Sequence, residues 1–233
     1  MFQIIINKLK DLWVRRSSES LALYYRNKGI TIGENCVFRS PGSTRIDIMR
    51  PSLVVIGDNV DMNKNFTIMA HDFSHRVFLQ LYGEFLSSSG AVTIGNNIYF
   101  GTDVTVLKGV TIGDNCIIGA GSVVSRNIPP NSVAAGVPCR VICSIEDYYA
   151  KRQKLWVDEA IAYANAIREK ECREPDLKDF QPEFGLFIDK NNIDKYDVAP
   201  IKSRLKEKYA DWLEHHKAIF DGFDDFLEKS RKV

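Results

Sequence analysis

No stretch of this 233-residue chain stays apolar for more than a few residues. That is far short of the roughly 20 a membrane-spanning helix needs. An excess of one charge is missing as well, with Lys+Arg at 31 and Asp+Glu at 30. A balanced chain sets up no basic field for nucleic acid or an anionic membrane, so any anionic ligand has to be held by local charge. Cysteine is sparse: five residues, Cys36, Cys116, Cys139, Cys143 and Cys172, odd in number and with no CxxC pair. Neither a disulfide framework nor a paired-thiolate metal site is expected from them, and small reduced side chains in cytoplasm are. The opening MFQIIINKLK has its three isoleucines cut off by Lys8 and Lys10, too short for a secretory apolar region, so a cytoplasmic protein is expected. What is present is a core: 45% hydrophobic and 26% charged residues suit a folded chain of one large domain or one with a satellite.

A repeat organises the middle of the sequence. From Ile94 the chain reads IGNNIY FGTDVT VLKGVT IGDNCI IGAGSV VSRNIP. The first position of each six is Ile94, Phe100, Val106, Ile112, Ile118 and Val124, apolar throughout. The second is glycine at 95, 101, 113 and 119, and the fifth is Ile98, Val104, Val110, Cys116, Ser122 and Ile128, mostly small or medium. A period of six is neither the 3.6 of a helix nor the plain 2 of a flat strand. It suits a short strand followed by a tight corner, stacked so that one side chain per strand enters a narrow interior. Gly, Asn and Asp supply the corners because they tolerate positive φ or bond their own backbone. Cys116 and Cys36 fall at the fifth position, which gives them a packing role.

Earlier hexads start at Ile32-Gly33 and Ile56-Gly57, with Met62 and Ile68 in phase, while Thr44 and Arg50 interrupt the register. The step from Ile68 to Ile94 is not a multiple of six. Residues 72–92 lack the hexad and read as a loop leaving the stack, the kind of excursion where repeat proteins place chemistry. Beyond Val141 the pattern changes. Ser144-Ile145-Glu146-Asp147 resembles a capping box before a helix over about 145–172, Pro175 and Pro182 break it, Pro200 opens another to about His216, and a last short one follows Asp221-Gly222. Residues 1–26 also show helical spacing in Ile5, Leu9, Leu12 and Trp13. The expected organisation is therefore an N-terminal helical segment 1–29, a repeat domain 30–143 with 72–92 inserted, and a C-terminal helical extension 144–233. Capping the exposed ends of the stack is the plainest role for the flanking helices.

These residues, above all IGNNIYFGTDVTVLKGVTIGDNCIIGAGSVVSRNIPPNSVAAGVPCRVI over 94–142, resemble the hexapeptide-repeat acyltransferases. The nearest subgroup is the galactoside, maltose and polysaccharide O-acetyltransferases. The resemblance covers roughly 30–143. It implies an all-β solenoid, a left-handed parallel β-helix with helical segments at both ends, in a homotrimer that uses acetyl-CoA as co-substrate and a carbohydrate, a surface-polysaccharide precursor, as acceptor. The same resemblance puts the pantetheine arm past Tyr99, Gly101, Thr102 and Gly119-Ala120-Gly121, with the N–H near Thr102 facing the oxyanion. It puts Ser125, Arg126 and Arg140 at the adenine and phosphate end, and Asn63 and Asn65 on the acceptor. Loop aromatics Phe73, Phe78, Tyr82 and Phe85 are available to stack on a sugar face or to form a small loop core.

Acetyl transfer to a hydroxyl needs a base, because a free hydroxyl does not ionise near neutral pH; histidine titrates in the right range. There are four histidines. His215 and His216 read as solvated positions on a C-terminal helix. His71 and His75 sit in TIMAHDFSHRVF, at the junction of repeat and loop, where the resemblance places the catalytic histidine. "HD" followed by an aromatic selects His71, with Asp72 or a backbone carbonyl orienting its ring. His75 is the alternative, because counting back from Ile94 puts it near the galactoside-type position. His71 and His75 are four apart, as helical metal ligands would be, but residues 76–214 contain no histidine to complete a site, so no metal is expected. Other acceptors in view are an antibiotic hydroxyl and a nucleotide-sugar amine; a non-catalytic scaffold is the reading from another class. Residues 1–16, with Ile4, Ile5 and Ile6 beside Lys8, Lys10, Arg15 and Arg16, are expected either to pack on the solenoid end or to rest peripherally on a membrane.

Overall fold

Asparagines at the corners let a chain of two- and three-residue strands turn sharply and repeat. The structure, a computed structural model, describes residues 13–231. The expectations placed on 1–12, including most of the membrane-facing stretch and the helical spacing of Ile5 and Leu9, lie outside the described residues. The chain divides into two compact units, Met1–Tyr149 and Ala150–Val233.

In the first unit helix α1 (Ser18–Asn27) opens on a capping box between Ser17 and Ser20 and buries Leu21, Ala22 and Tyr25. Then come β1 (Thr31–Ile32), β2 (Val37–Phe38), β3 (Arg45–Ile46), β4 (Val54–Ile56), β5 (Val60–Met62) and β6 (Thr67–Ile68). After an excursion through β7 (His71–Asp72), α2 (His75–Tyr82) and β8 (Ser88–Ser89) the series resumes. It continues with β9 (Val92–Ile94), β10 (Ile98–Phe100), β11 (Thr105–Val106), β12 (Thr111–Ile112), β13 (Cys116–Ile118) and β14 (Val123–Val124). Within the parallel series β1–β6 and β9–β14, consecutive strands do not pair. The chain visits three parallel sheets in rotation, β1-β4-β9-β12, then β2-β5-β10-β13, then β3-β6-β11-β14, and each return lands one rung further on. β15 (Ser132–Ala135) adds to β13, and β16 (Arg140–Ser144) closes that sheet antiparallel to β15.

The interior is what the hexad register demands. Ile94, Phe100, Val106, Ile112, Ile118 and Val124 are at most 1% exposed, and the fifth-position residues Ile98 to Ile128 at most 4%. Phe66 and Phe100 meet at 4.7 Å between ring centres, filling the space between successive circuits. Corners are taken by Asn35, Asn59, Asn65, Asn97, Asn115 and Asn131, all at positive φ. Three of them stack, Asn97 Nδ2 donating to Asn115 Oδ1 at 2.8 Å and Asn115 Nδ2 to Asn131 Oδ1 at 2.9 Å.

Helix α3 (Ile145–Glu171) starts in the first unit, where Ser144 Oγ accepts from the Asp147 N–H at 3.0 Å, and from Ala150 onward belongs to the second. The expected second helix is two, α4 (Ala199–Leu205) and α5 (Tyr209–His215), parted by Lys206 at φ 49°. The last is α6 (Phe223–Ser230). The core of this unit is aromatic, with Phe180, Phe187 and Phe226 fully buried. His216 is not a solvated surface residue: its ring stacks on Trp212 at 4.5 Å and its Nε2 donates to the Gly185 carbonyl at 2.6 Å, while His215 stays exposed.

Candidate functional site

The parallel register of β3, β6 and β11 puts Ile46, Ile68 and Val106 side by side, and it continues past the strands. Asp47 N donates to Ile68 O at 3.1 Å and Met69 N to Val106 O at 2.9 Å. The chain then leaves the sheet at Ala70 and forms β7, which pairs antiparallel with β8 through His71↔Ser89 and Asp72↔Ser88. His71 is thus at the edge of a packed body and at the root of the excursion. The residues 72–92 expected as a loop hold the helix α2, none of whose residues is buried.

The His71 ring is held by Asp47, one circuit earlier: Nδ1 hydrogen-bonds Asp47 Oδ2, and only 7% of the Asp47 side chain is exposed. Asp47 also accepts from Met49 N at 2.9 Å and Ala70 N at 3.1 Å. Burial alone would raise its carboxyl, but the hydrogen bonds from His71, Met49 and Ala70 outweigh it and leave Asp47 below the ordinary carboxylate range. An ionised carboxylate only accepts, so Nδ1 carries the ring proton and Nε2 the lone pair. Nε2 is buried and has no hydrogen-bond partner among the described residues. The Phe73 ring stands edge-on to His71 at 5.1 Å and is itself 57% exposed.

Asp72, expected as the orienting partner, points elsewhere. Its carboxylate takes the Lys108 ammonium and the Ser88 hydroxyl, and the hydrogen bonds from Lys108 and Ser74 hold it well below the usual range. His75, the alternative base, starts α2 with its ring between Phe73 at 5.8 Å and Phe85 at 4.1 Å. Tyr82 and Phe85 are 71% and 64% exposed, so the excursion's aromatics do not form a loop core.

The remaining residues fall into two groups. Ser125 and Arg126 follow β14 on the edge that carries Asp47, His71 and Lys108, one rung further on, and both are exposed. The other group lies at the corner between the second and third sheets. Gly121 N donates to Thr102 O at 2.8 Å, stacking Gly119-Ala120-Gly121 on Gly101-Thr102. A side chain on Gly101 would meet Ala120 N at 2.5 Å, which is why the two corners come so close. Asn65 belongs to this corner, its Nδ2 bonding Asp103 Oδ1 at 2.6 Å, and Asn63 Nδ2 donates to Tyr99 Oη at 3.3 Å. Tyr99 is 41% exposed and lines a cavity of about 280 Å3 with Asp61, Asn97, Asn115, Ile117 and Ile145; His71 is not part of that lining. Arg140 is exposed, its guanidinium donating to Cys139 O at 2.8 Å. Among the described residues no three His, Cys, Asp or Glu side chains group as metal ligands, and no helix is long and apolar enough to cross a membrane.

Comparison with known proteins adds to this geometry. The family described as "Bacterial transferase hexapeptide (six repeats)" matches residues 91–126. The galactoside O-acetyltransferase of Escherichia coli (strain K12) is 43% identical over 147 residues, covering 54% of this chain and 70% of that protein. A putative acetyltransferase of Staphylococcus aureus (strain MRSA252) is 39% identical over 122 residues, 52% of this chain and 54% of that protein, so the chain spans about half of that relative's length. Among solved structures, a maltose O-acetyltransferase from Clostridium difficile 630 aligns at 38% identity and a TM-score of 0.38, over 49% of this chain and 58% of that one. A galactoside acetyltransferase in complex with coenzyme A aligns at 36% identity and a TM-score of 0.36, over 51% and 66%.

Proposed function

The chain belongs to the hexapeptide-repeat acetyltransferases, and on that premise we propose that it moves an acetyl group from acetyl-CoA to a sugar hydroxyl, with His71 as general base. The observation that carries this reading is an imidazole pinned at Nδ1 by Asp47 with its other nitrogen left without a partner among the described residues. A buried acceptor that makes no bond costs roughly 1–3 kcal/mol, and such groups call for an explanation. Here it is a lone pair reserved for the acceptor hydroxyl. Nε2 takes that proton as the oxygen attacks the thioester carbonyl; the tetrahedral oxyanion collapses, the C–S bond breaks, and the imidazolium returns the proton to the departing thiolate.

The rotation through three sheets is a solenoid coiled left-handed, as in the family this chain resembles. The stacked corner at Gly101-Thr102 and Gly119-Ala120-Gly121, with Tyr99, holds the pantetheine arm. Ser125, Arg126 and Arg140 meet its phosphate and adenine end. Asn63 and Asn65 with Phe73 and Tyr82 face the acceptor, a surface-polysaccharide precursor. An excursion with Phe73, Val77, Leu81, Tyr82 and Phe85 each more than half exposed is too apolar to stay in water, and a homotrimer covers it against neighbouring subunits.

Thiol release from acetyl-CoA, measured with a panel of sugars headed by galactosides and maltose, tests the proposal. His71→Ala is expected to fall by about 10²-fold or more with the oligomer unchanged in size. An unchanged rate overturns the assignment, and His75→Ala in the same assay tells whether the second imidazole carries the role instead.

A further inference from the structure

Lys108 takes no proton in the acetyl transfer, yet it touches the strand that carries the base. The segment 69–72 runs between two neighbours in the stack, Asp47 to Met49 on one side and Leu107-Lys108 on the other, because β6 pairs with β3 and with β11. Each neighbour sends one charged side chain to one of two consecutive residues: Asp47 to His71, and Lys108 to Asp72. The Lys108 ammonium also donates to Ser88 Oγ, which lies 3.2 Å from Asp72 Oδ2 on the opposite strand. One cation therefore gathers both strands of the ribbon at the root of the excursion. The return of the chain presses on the same turn, since a side chain on Gly90 would meet Gly109 N at 2.9 Å.

Little else holds this ribbon. β7 and β8 have two residues each, α2 buries none of its side chains, and a two-stranded ribbon of that size is marginal alone. Among the described residues, a few charged and titratable groups contact His71, its strand or the adjoining Phe73. They are Asp47 from the preceding circuit, Asp72 on its own strand, Lys108 from the following circuit and His75 at the start of α2, while β8 offers only serines.

We propose that Lys108 is a positioning residue for the base: it fixes the His71 strand through Asp72 and Ser88, and it offsets the Asp72 charge one residue along from the imidazole. This rests on the reading of His71 as general base. A bare carboxylate on the adjoining residue would favour the imidazolium, which cannot accept a proton. With Lys108 in place the two charges offset.

The test uses the full chain and three variants, Lys108→Met, Asp72→Asn and Lys108→Arg, with His71→Ala alongside. Both of the first two loosen the ribbon, so a merely structural role moves the pH dependence of both alike. The proposal requires opposite signs. In Lys108→Met the acid limb of kcat/KM moves to higher pH by about half a unit, and in Asp72→Asn it moves to lower pH by a similar amount. Lys108→Met also loses about tenfold or more in kcat with the KM for acetyl-CoA nearly unchanged, and Lys108→Arg regains most of both. The histidine ring resonances in 1H–15N spectra, with His71 assigned by its loss in His71→Ala, read the same opposite movements without any acceptor. Limbs that stay put, or that move the same way in Lys108→Met and Asp72→Asn, overturn the role of Lys108. A His71→Ala variant with full activity overturns the base itself, which is a separate failure. Should Lys108→Met not fold, Asp72→Asn against Lys108→Arg decides: the first must shift and the second must not.

Discussion

An imidazole acts as a base only when one nitrogen is committed and the other is kept free, and here the commitment is made by a residue 24 positions away. Asp47→Asn keeps the side chain's shape but removes the acceptor-only carboxylate, so the ring can settle in the other tautomer. A loss of about 10²-fold or more in kcat is expected, with KM for acetyl-CoA little changed, as steady-state rates will read. The same substitution has a consequence for stability. Because the Asp47 carboxyl lies lower in the fold than in the unfolded chain, its contribution is present above the unfolded carboxyl range and is lost as pH falls through the folded value. Urea unfolding at about pH 7 and pH 3 should show less acid weakening in Asp47→Asn than in the wild type. Asp47 was not legible in the sequence. It lies in the stretch where Thr44 and Arg50 break the hexads, and Thr44 turns out to be a fully buried corner residue bonded to Ser40 O at 3.2 Å. Lys108 was hidden differently, as an ordinary charge in a clear hexad whose partner lies in the excursion.

At the scale of strands and corners, legibility followed the regularity of the circuit. Asn97 and Asn115, stacked neighbours, are 18 residues apart, three hexads, and from Ile94 on every inward position was readable. Asp58 and Asn96, equally neighbours, are 38 apart because the excursion intervenes, so counting could not align the two halves. The helix inside the excursion stayed unread because Phe73, Val77, Leu79, Leu81, Tyr82 and Phe85 are all exposed and mark no single buried face. The corners support a prediction of their own. Asn115 combines φ 56° with two ladder hydrogen bonds. Alanine there meets the left-handed penalty of roughly 1–2 kcal/mol and loses both bonds, which lie in solvent and contribute no more than about 0.5 kcal/mol each. Glycine loses the bonds alone. Asn115→Ala should therefore unfold at clearly lower urea than Asn115→Gly, and equal midpoints would mean that the backbone conformation contributes nothing to this corner.

At the scale of the whole chain, two units with separate cores predict two unfolding events. Each has a fully buried phenylalanine among aromatic neighbours. Phe100 meets Phe66 at 4.7 Å between the circuits, and Phe226 meets Phe180 at 5.0 Å and Phe220 at 5.3 Å in the helical unit. Removing either ring leaves a cavity that a packed core closes only in part, at a cost of about 3–5 kcal/mol. Calorimetry of Phe226→Ala should lower one transition and leave the other where it was, and Phe100→Ala should do the reverse. The acid response separates them again. Asp179, held to about 2 by the Arg173 guanidinium and the Asp176 N–H, contributes above the unfolded carboxyl range and ceases to as pH drops toward that value. Asp179→Asn should flatten the acid dependence of the transition that Phe226→Ala lowers, and of that one alone. If each phenylalanine variant lowers a single shared transition, the two cores unfold as one cooperative body and the helical unit is part of what holds the repeat domain folded.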